Sequence, residues 1–145
     1  MKAVLARTFT GRLTRAKREG LRIDVPLLVS QGSPGAPLVN GAGQSGVALN
    51  VKGLTAGYQV LEGYWLTILD FAGTRYLHQV VTSVTANGSG LATVQIDPPI
   101  RANFLDNATI QLATPQVEGL VTSSVSWPLD YNQFIVISFD IEESA

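Results

Sequence analysis

Cysteine is absent from this 145-residue chain, histidine and methionine occur once each, and charged residues make up only 14% of it. Without a thiol there is no disulfide scaffold, no thiolate zinc site and no cysteine nucleophile, and the redox compartment is left open. A charged fraction well under the roughly 25% of ordinary soluble domains means that something besides charge keeps the protein dispersed, or that a partner covers much of its surface. No apolar run nears the roughly 18 to 20 residues of a membrane-spanning helix, so no membrane partner is expected. The N-terminus shows neither the apolar core nor the cleavage site of a secretory leader, so export by that route is not expected. Helical periodicity is missing as well. No window of roughly 11 to 18 residues keeps apolar positions at i, i+3, i+4 and i+7 between recognisable caps.

Period-two alternation is what the chain has instead, punctuated by Gly, Pro and Asn, and this predicts an all-β fold. At this length one domain can bury roughly two-thirds of its unfolded surface without staples. Leu21, Ile23, Val25, Leu27 and Val29 alternate with Arg22, Asp24, Pro26, Leu28 and Ser30, the pattern of a strand with one buried face, and Pro26 suggests an edge. A preceding strand over Val4–Thr10 would pair with it through a turn at Thr14–Gly20. Five glycines and two prolines between Gln31 and Gly46 predict a linker or long ordered loop. Strands are expected at Val47–Val51 and Tyr64–Leu69, then a turn at Asp70–Thr74 into Arg75–Val84. The clearest hairpin signal is Ala86-Asn87-Gly88-Ser89-Gly90, since Asn-Gly accommodates the positive φ of tight turns. Asp97-Pro98-Pro99 is expected to end the following strand, because proline donates no ladder bond. Further strands are predicted at Thr109–Leu112 and Phe134–Ile141. The resulting expectation is a small β-barrel, residues 33–118, inserted between N- and C-terminal strands, residues 1–32 and 119–145, that share a second, belt-like sheet.

The net charge of −1 hides an asymmetry. Lys2, Arg7, Arg12, Arg15, Lys17, Arg18 and Arg22 face only Glu19 in the first 22 positions, while the rest of the chain holds three basic and ten acidic residues. A basic arm on an acidic body attracts nucleic acid with one part and repels it with the other, so none is expected as a partner, and the same arrangement suits docking on a neighbouring copy. A solvated basic hairpin that discourages edge pairing is the simpler alternative.

Chemistry-bearing motifs are thin. Gly41-Ala42-Gly43-Gln44-Ser45-Gly46 matches G-x-G-x-x-G, but a strand-like run follows it where a dinucleotide site needs a helix N-terminus. His78 has no local carboxylate partners for a metal; as a general base it would need a distant acid such as Asp70 or Glu62. A strand histidine satisfied by hydrogen bonds is the plainer account. No nucleophile has a base within local reach and no phosphate loop ends in Gly-Lys-Ser/Thr, so no enzyme activity, cofactor or metal is expected. Asn87-Gly88-Ser89 and Asn107-Ala108-Thr109 match the glycosylation acceptor but read more simply as turns. Tyr58, Tyr64, Trp65, Phe71 and Tyr76 cluster within nineteen residues, which suits barrel packing, a sugar-stacking patch, or a single-strand platform short of cations. Glu142 and Glu143 are solvated or pair with the basic arm.

Two stretches taken together, GAPLVNGAGQSGVALNVKGLTAG and YLHQVVTSVTANGSGLATVQIDPPIRANFLDNATIQLATPQVEG, resemble a family of tail-tip structural proteins of long-tailed bacteriophages. In that family an LVNGAGQ(S/T)G loop leads into a strand, a G-S-G-x-A-T-V-x-I-x-P-P-[LI]-R hairpin follows, and an Asp-Asn turn precedes a final (S)W…D…ISF…E strand. The pieces stand here at Leu38–Gly46, Gly88–Arg101, Asp106-Asn107, and Ser126-Trp127 with Ile137–Glu142. The resemblance spans about Gly32 to Glu143, and its members usually carry more chain ahead of the loop. It implies a distal-tail or baseplate subunit, a homo-oligomeric ring, often sixfold, between the tail tube and hub, fibre or receptor-binding proteins. Such a protein is assembled in the host cytoplasm and resides in the virion. Low charge and the opposed charges of arm and body fit a ring independently. Subunit or partner interface residues are then expected to be Arg12, Arg15, Lys17, Arg18, Arg22, Glu142 and Glu143. The alternatives are another virion ring (tail tube, terminator or head-to-tail connector) and a carbohydrate-binding β module.

Overall fold

A computed structural model describes residues 11–12, 15–16, 18–122 and 140–143. Lys17, the predicted strand Val4–Thr10, Ser126-Trp127 and most of Phe134–Ile141 lie outside the described residues. The described chain is all-β apart from helical backbone within residues 11–19. Its strands are β1 (Leu21–Asp24), β2 (Gly35–Val39), β3 (Gly46–Leu54), β4 (Gln59–Val60), β5 (Trp65–Leu69), β6 (Arg75–Thr82), β7 (Val84–Thr85), β8 (Ala92–Ile100), β9 (Ile110–Gln111), β10 (Gln116–Val121) and β11 (Ile141–Glu143). They form a six-stranded sheet in the order β2-β3-β8-β6-β5-β9, a three-stranded sheet β1-β10-β11, and the pair β4-β7. Two compact units result: Ile23–Val117, and a second drawn from the two ends of the chain, up to Arg22 and from Glu118 onward.

The six-stranded sheet is a nearly closed antiparallel barrel, because its edges meet at a bridge between Leu38 and Thr109. Val39 N donates to Ala108 O (2.9 Å) and Asn107 N to Val39 O (3.0 Å) beside that bridge. Closure removes two exposed edges, each a row of unpaired backbone groups. Inside, alternate residues of neighbouring strands meet: Leu49, Val51, Leu66, Ile68, Val80, Val94, Ile96, Phe104 and Ile110 are buried in one cluster. Small β-barrels of this size leave room only for side chains, so the interior is a core and not a channel.

The Asn87 hairpin forms, with a different turn from the one Asn-Gly predicts. Asn87 Oδ1 accepts from Ser89 N (2.9 Å) and Leu91 N (3.0 Å), and Asn87 N donates to Leu91 O (2.9 Å). The side chain thus builds the loop, and the positive φ falls at Gly90, at 72°. Asp97-Pro98-Pro99 does not end its strand: β8 runs to Ile100. The register with β3 jumps from Ala48↔Gln95 to Gly46↔Ile100, so the prolines sit in a bulge where missing N–H groups cost no ladder bond.

Where a turn at Thr14–Gly20 is expected, the described residues Arg15, Ala16, Arg18 and Glu19 have helical backbone, as does Arg12, and Gly20 N donates to Ala16 O (3.0 Å). Arg, Ala, Lys and Glu are good helix formers with no turn residue among them, and Gly20, at φ 84°, stops the helix as a C′ glycine. In the end-of-chain unit Arg22 Nε and Nη2 both donate to Glu118 Oε2 (3.2 and 3.0 Å), and Gly119, Leu120 and Val121 oppose Glu143, Glu142 and Ile141.

Candidate functional site

The Gly-rich segment Leu38–Gly46 is an ordered structure held by its own polar side chains. Gln44 folds back so that Nε2 donates to Asn40 O (3.0 Å), Gly41 O (3.0 Å) and Asn50 O (3.2 Å), while Oε1 accepts from Asn50 N (2.7 Å). One amide therefore serves four backbone groups of the turn and of β3. From the other side Asp106 Oδ1 accepts from Gly41 N (2.8 Å) and pairs with Lys52 Nζ at 2.6 Å. Gly43 N reaches Phe104 O at 3.2 Å. The G-x-G-x-x-G match thus runs straight into β3, and its glycines serve a loop pinned to the Asp106-Asn107 turn.

The bonds from Lys52 and Gly41 hold the Asp106 carboxyl below its ordinary value. A carboxyl that titrates lower folded than unfolded contributes its full stability above the unfolded value. That contribution is lost as pH falls through the folded one. Asp106→Asn is therefore expected to destabilise most at neutral pH and to converge with the parent below the ordinary value of 3.8. Urea midpoints of both proteins across that range measure it; a gap that stays constant with pH would contradict the assignment.

A second staple is buried. Gln31 donates through Nε2 to Trp65 O (2.8 Å) and Leu112 O, and accepts from Trp65 N at Oε1 (2.7 Å). The Tyr58 hydroxyl donates to Gln31 O, and burial next to Tyr64 pushes its pKa up to about 12. His78 is also fully buried and sits 2.7 Å from Pro98 O through Nδ1. A carbonyl only accepts, so Nδ1 carries the proton. The ring caps the bulge that lets β8 pass its prolines.

The aromatic cluster does not make one platform. Tyr76 packs edge-on against Phe104, with centroids 5.3 Å apart, and Tyr58 and Tyr64 lie partly buried against the core. Phe71 stands 92% exposed on the Asp70–Thr74 turn. Trp65 is half-buried and lines a groove of about 310 Å³ with Leu28, Val29, Glu62 and Tyr64.

Of the residues expected at an interface, Arg12, Arg15 and Arg18 are exposed, Arg18 lying 3.5 Å from Glu19. Arg22 is drawn into its pair with Glu118 inside the chain. Glu142, exposed, and Glu143, half-buried, belong to β11. No protein-family model and no curated protein matches the chain.

A further cavity, about 590 Å³, lies elsewhere on the barrel unit. It is lined by Gln79, Val80 and Val81 of β6, by Glu62 and Gly63, by Gln95, Ile96 and Asp97 of β8, and by Val47 of β3. Gly63 N donates to Val80 O (2.8 Å) and Glu62 N to Ser83 Oγ (2.9 Å), which fixes Glu62 and Gly63 to the end of β6. The sequence contained no local signal for it, because its residues come from four separated segments. Only the alternation of Gln79 and Val81 with buried His78 and Val80 marks those two as outward-facing.

Proposed function

We propose that the chain is a virion structural protein, a ring-forming subunit of the tail tip of a long-tailed bacteriophage, joining the tail tube to hub or host-binding proteins by shape and charge. One observation carries this reading: three of the segments that bear the family resemblance, the Leu38–Gly46 loop, the hairpin ending at Arg101 and the Asp106-Asn107 turn, adjoin in space as one bonded structure. The Leu38–Gly46 loop is tied to Asp106, Gly46 opposes Ile100 behind the two prolines, and Leu38 bridges to Thr109 beyond the Asp-Asn turn. Composition agrees. The barrel unit has only three cations, Lys52, Arg75 and Arg101, and five carboxylates, yet leaves Leu28, Val29, Val47, Phe71, Val81 and Leu105 at least half-exposed or nearly so. A surface poor in charge and rich in apolar side chains suits a subunit covered by neighbours.

Immunogold labelling of virions from the host that encodes the chain tests the reading. Label at the distal end of the tail is the expected result. Label along the tail or at the head-proximal end would move the chain to a tube, terminator or connector; unlabelled particles would overturn the proposal. A carbohydrate-binding role is favoured by one observation, the groove at Trp65 and Tyr64. Indole fluorescence that responds to a sugar panel in the parent and not in Trp65→Phe would support that role.

A further inference from the structure

The 590 Å³ groove has mixed chemistry. Val47 and Val81 offer apolar surface, 48% and 49% exposed, and the exposed carboxylates Glu62 and Asp97 line the same groove. Among the described residues neither carboxylate meets a cation: the ion pairs there are Arg18–Glu19, Arg22–Glu118 and Lys52–Asp106. Its occupant should carry cations interleaved with apolar side chains. The chain's own first residues have that composition, with Val4, Leu5, Phe9 and Leu13 set among Arg7, Arg12 and Arg15. Arg12 and Arg15 are both exposed, and each has helical backbone.

We propose that this groove receives the basic N-terminal arm of a second copy, with Arg12 and Arg15 meeting Glu62 and Asp97 while apolar arm residues cover Val47 and Val81. The contact is head-to-tail: each copy gives an arm and accepts one. Such a heterologous interface closes into a ring when its rotation divides a full turn. The inference deepens the ring reading and rests on its self-association, but not on the kind of particle. The charge asymmetry is the driving term. Seven cations against one acid at the front of the chain meet a body of opposite sign, which speeds encounter and selects orientation.

Two full-length variants test it, Glu62→Arg with Asp97→Arg, and Arg12→Glu with Arg15→Glu, each read by light scattering after size exclusion and checked for folding by near-ultraviolet circular dichroism. Each alone is expected to fall to monomer. An equal mixture is expected to regain the parent's mass, since reversed arms then fit reversed grooves, and only contact between copies can produce that rescue. If the arginine groove variant fails to fold, Glu62→Gln with Asp97→Asn serves, with an expected dissociation concentration about tenfold higher than the parent's. An oligomer indifferent to the groove changes, or dissociated variants that mixing does not restore, would overturn the groove and leave the ring standing. A parent that is monomeric at every concentration would overturn both.

Discussion

Phe104→Ala is expected to lower the stability of the barrel by about 3 to 5 kcal/mol, against a change of about 0.5 kcal/mol or less for Phe71→Ala. Both residues are phenylalanines on loops, and hydrophobicity alone does not separate them. Phe104 is 1% exposed, edge-on to Tyr76, and its carbonyl receives Gly43 N from the Gly-rich loop. Truncation removes the ring's transfer energy and leaves a void that barrel walls held by ladder bonds cannot collapse into. Phe71 projects into solvent and loses little. Paired urea denaturation curves measure the difference; equal costs would mean that Phe104 does not fill the barrel as described.

Gly90→Val is the second large effect, on the order of 4 kcal/mol, while Gly88→Ala two positions earlier should stay within about 1 kcal/mol of the parent. Gly90 has φ of 72°, and a Cβ there would lie 2.2 Å from Leu54 O. That oxygen belongs to backbone whose own N–H donates to Gly90 O (3.1 Å), so it cannot retreat without opening the end of β3. Gly88 has no atom within 4 Å of a built Cβ and no positive φ, and a side chain there restricts the unfolded chain at no folded cost. Thermal or urea midpoints for the two variants decide the matter. A tolerated Gly90→Val would show that the hairpin uses a conventional Asn-Gly turn after all.

The contrast also marks where sequence logic holds. Local signals survived: Asn87 places a hairpin, Asp70 closes the β5–β6 turn through Thr74 N (2.8 Å), and alternation from Leu21 to Leu27 matches alternating exposure. Failures came where a distant partner overrode a local rule. Pro98 and Pro99 remain in β8 because β3 steps around them and His78 takes the Pro98 carbonyl, a partner twenty residues away. The helical backbone before Gly20 is a local exception: Arg15, Ala16, Arg18 and Glu19 favour helix, and no Gly, Pro or Asn interrupts them. The Leu38–Thr109 closure could not be read at all, since two residues so far apart carry no common local signal. For the same reason Gln44 and Asp106 looked like ordinary loop residues, although together they fix the loop to the barrel.

The candidate groove was still less legible. Glu62 drew notice only as a distant acid for His78, whose Nδ1 is instead committed to Pro98, and Asp97 only as a strand end. What the sequence did contain was the charge asymmetry from which the proposed contact is argued: an arm with seven cations and a body with few.

The mass of the purified full-length protein in solution tests this account most directly, by light scattering coupled to size exclusion at low and moderate salt. A ring subunit should elute as one discrete species, a fixed multiple of the 15.4 kDa chain, that shifts toward smaller species as salt screens the arm. A single 15.4 kDa species at every concentration and salt would contradict it.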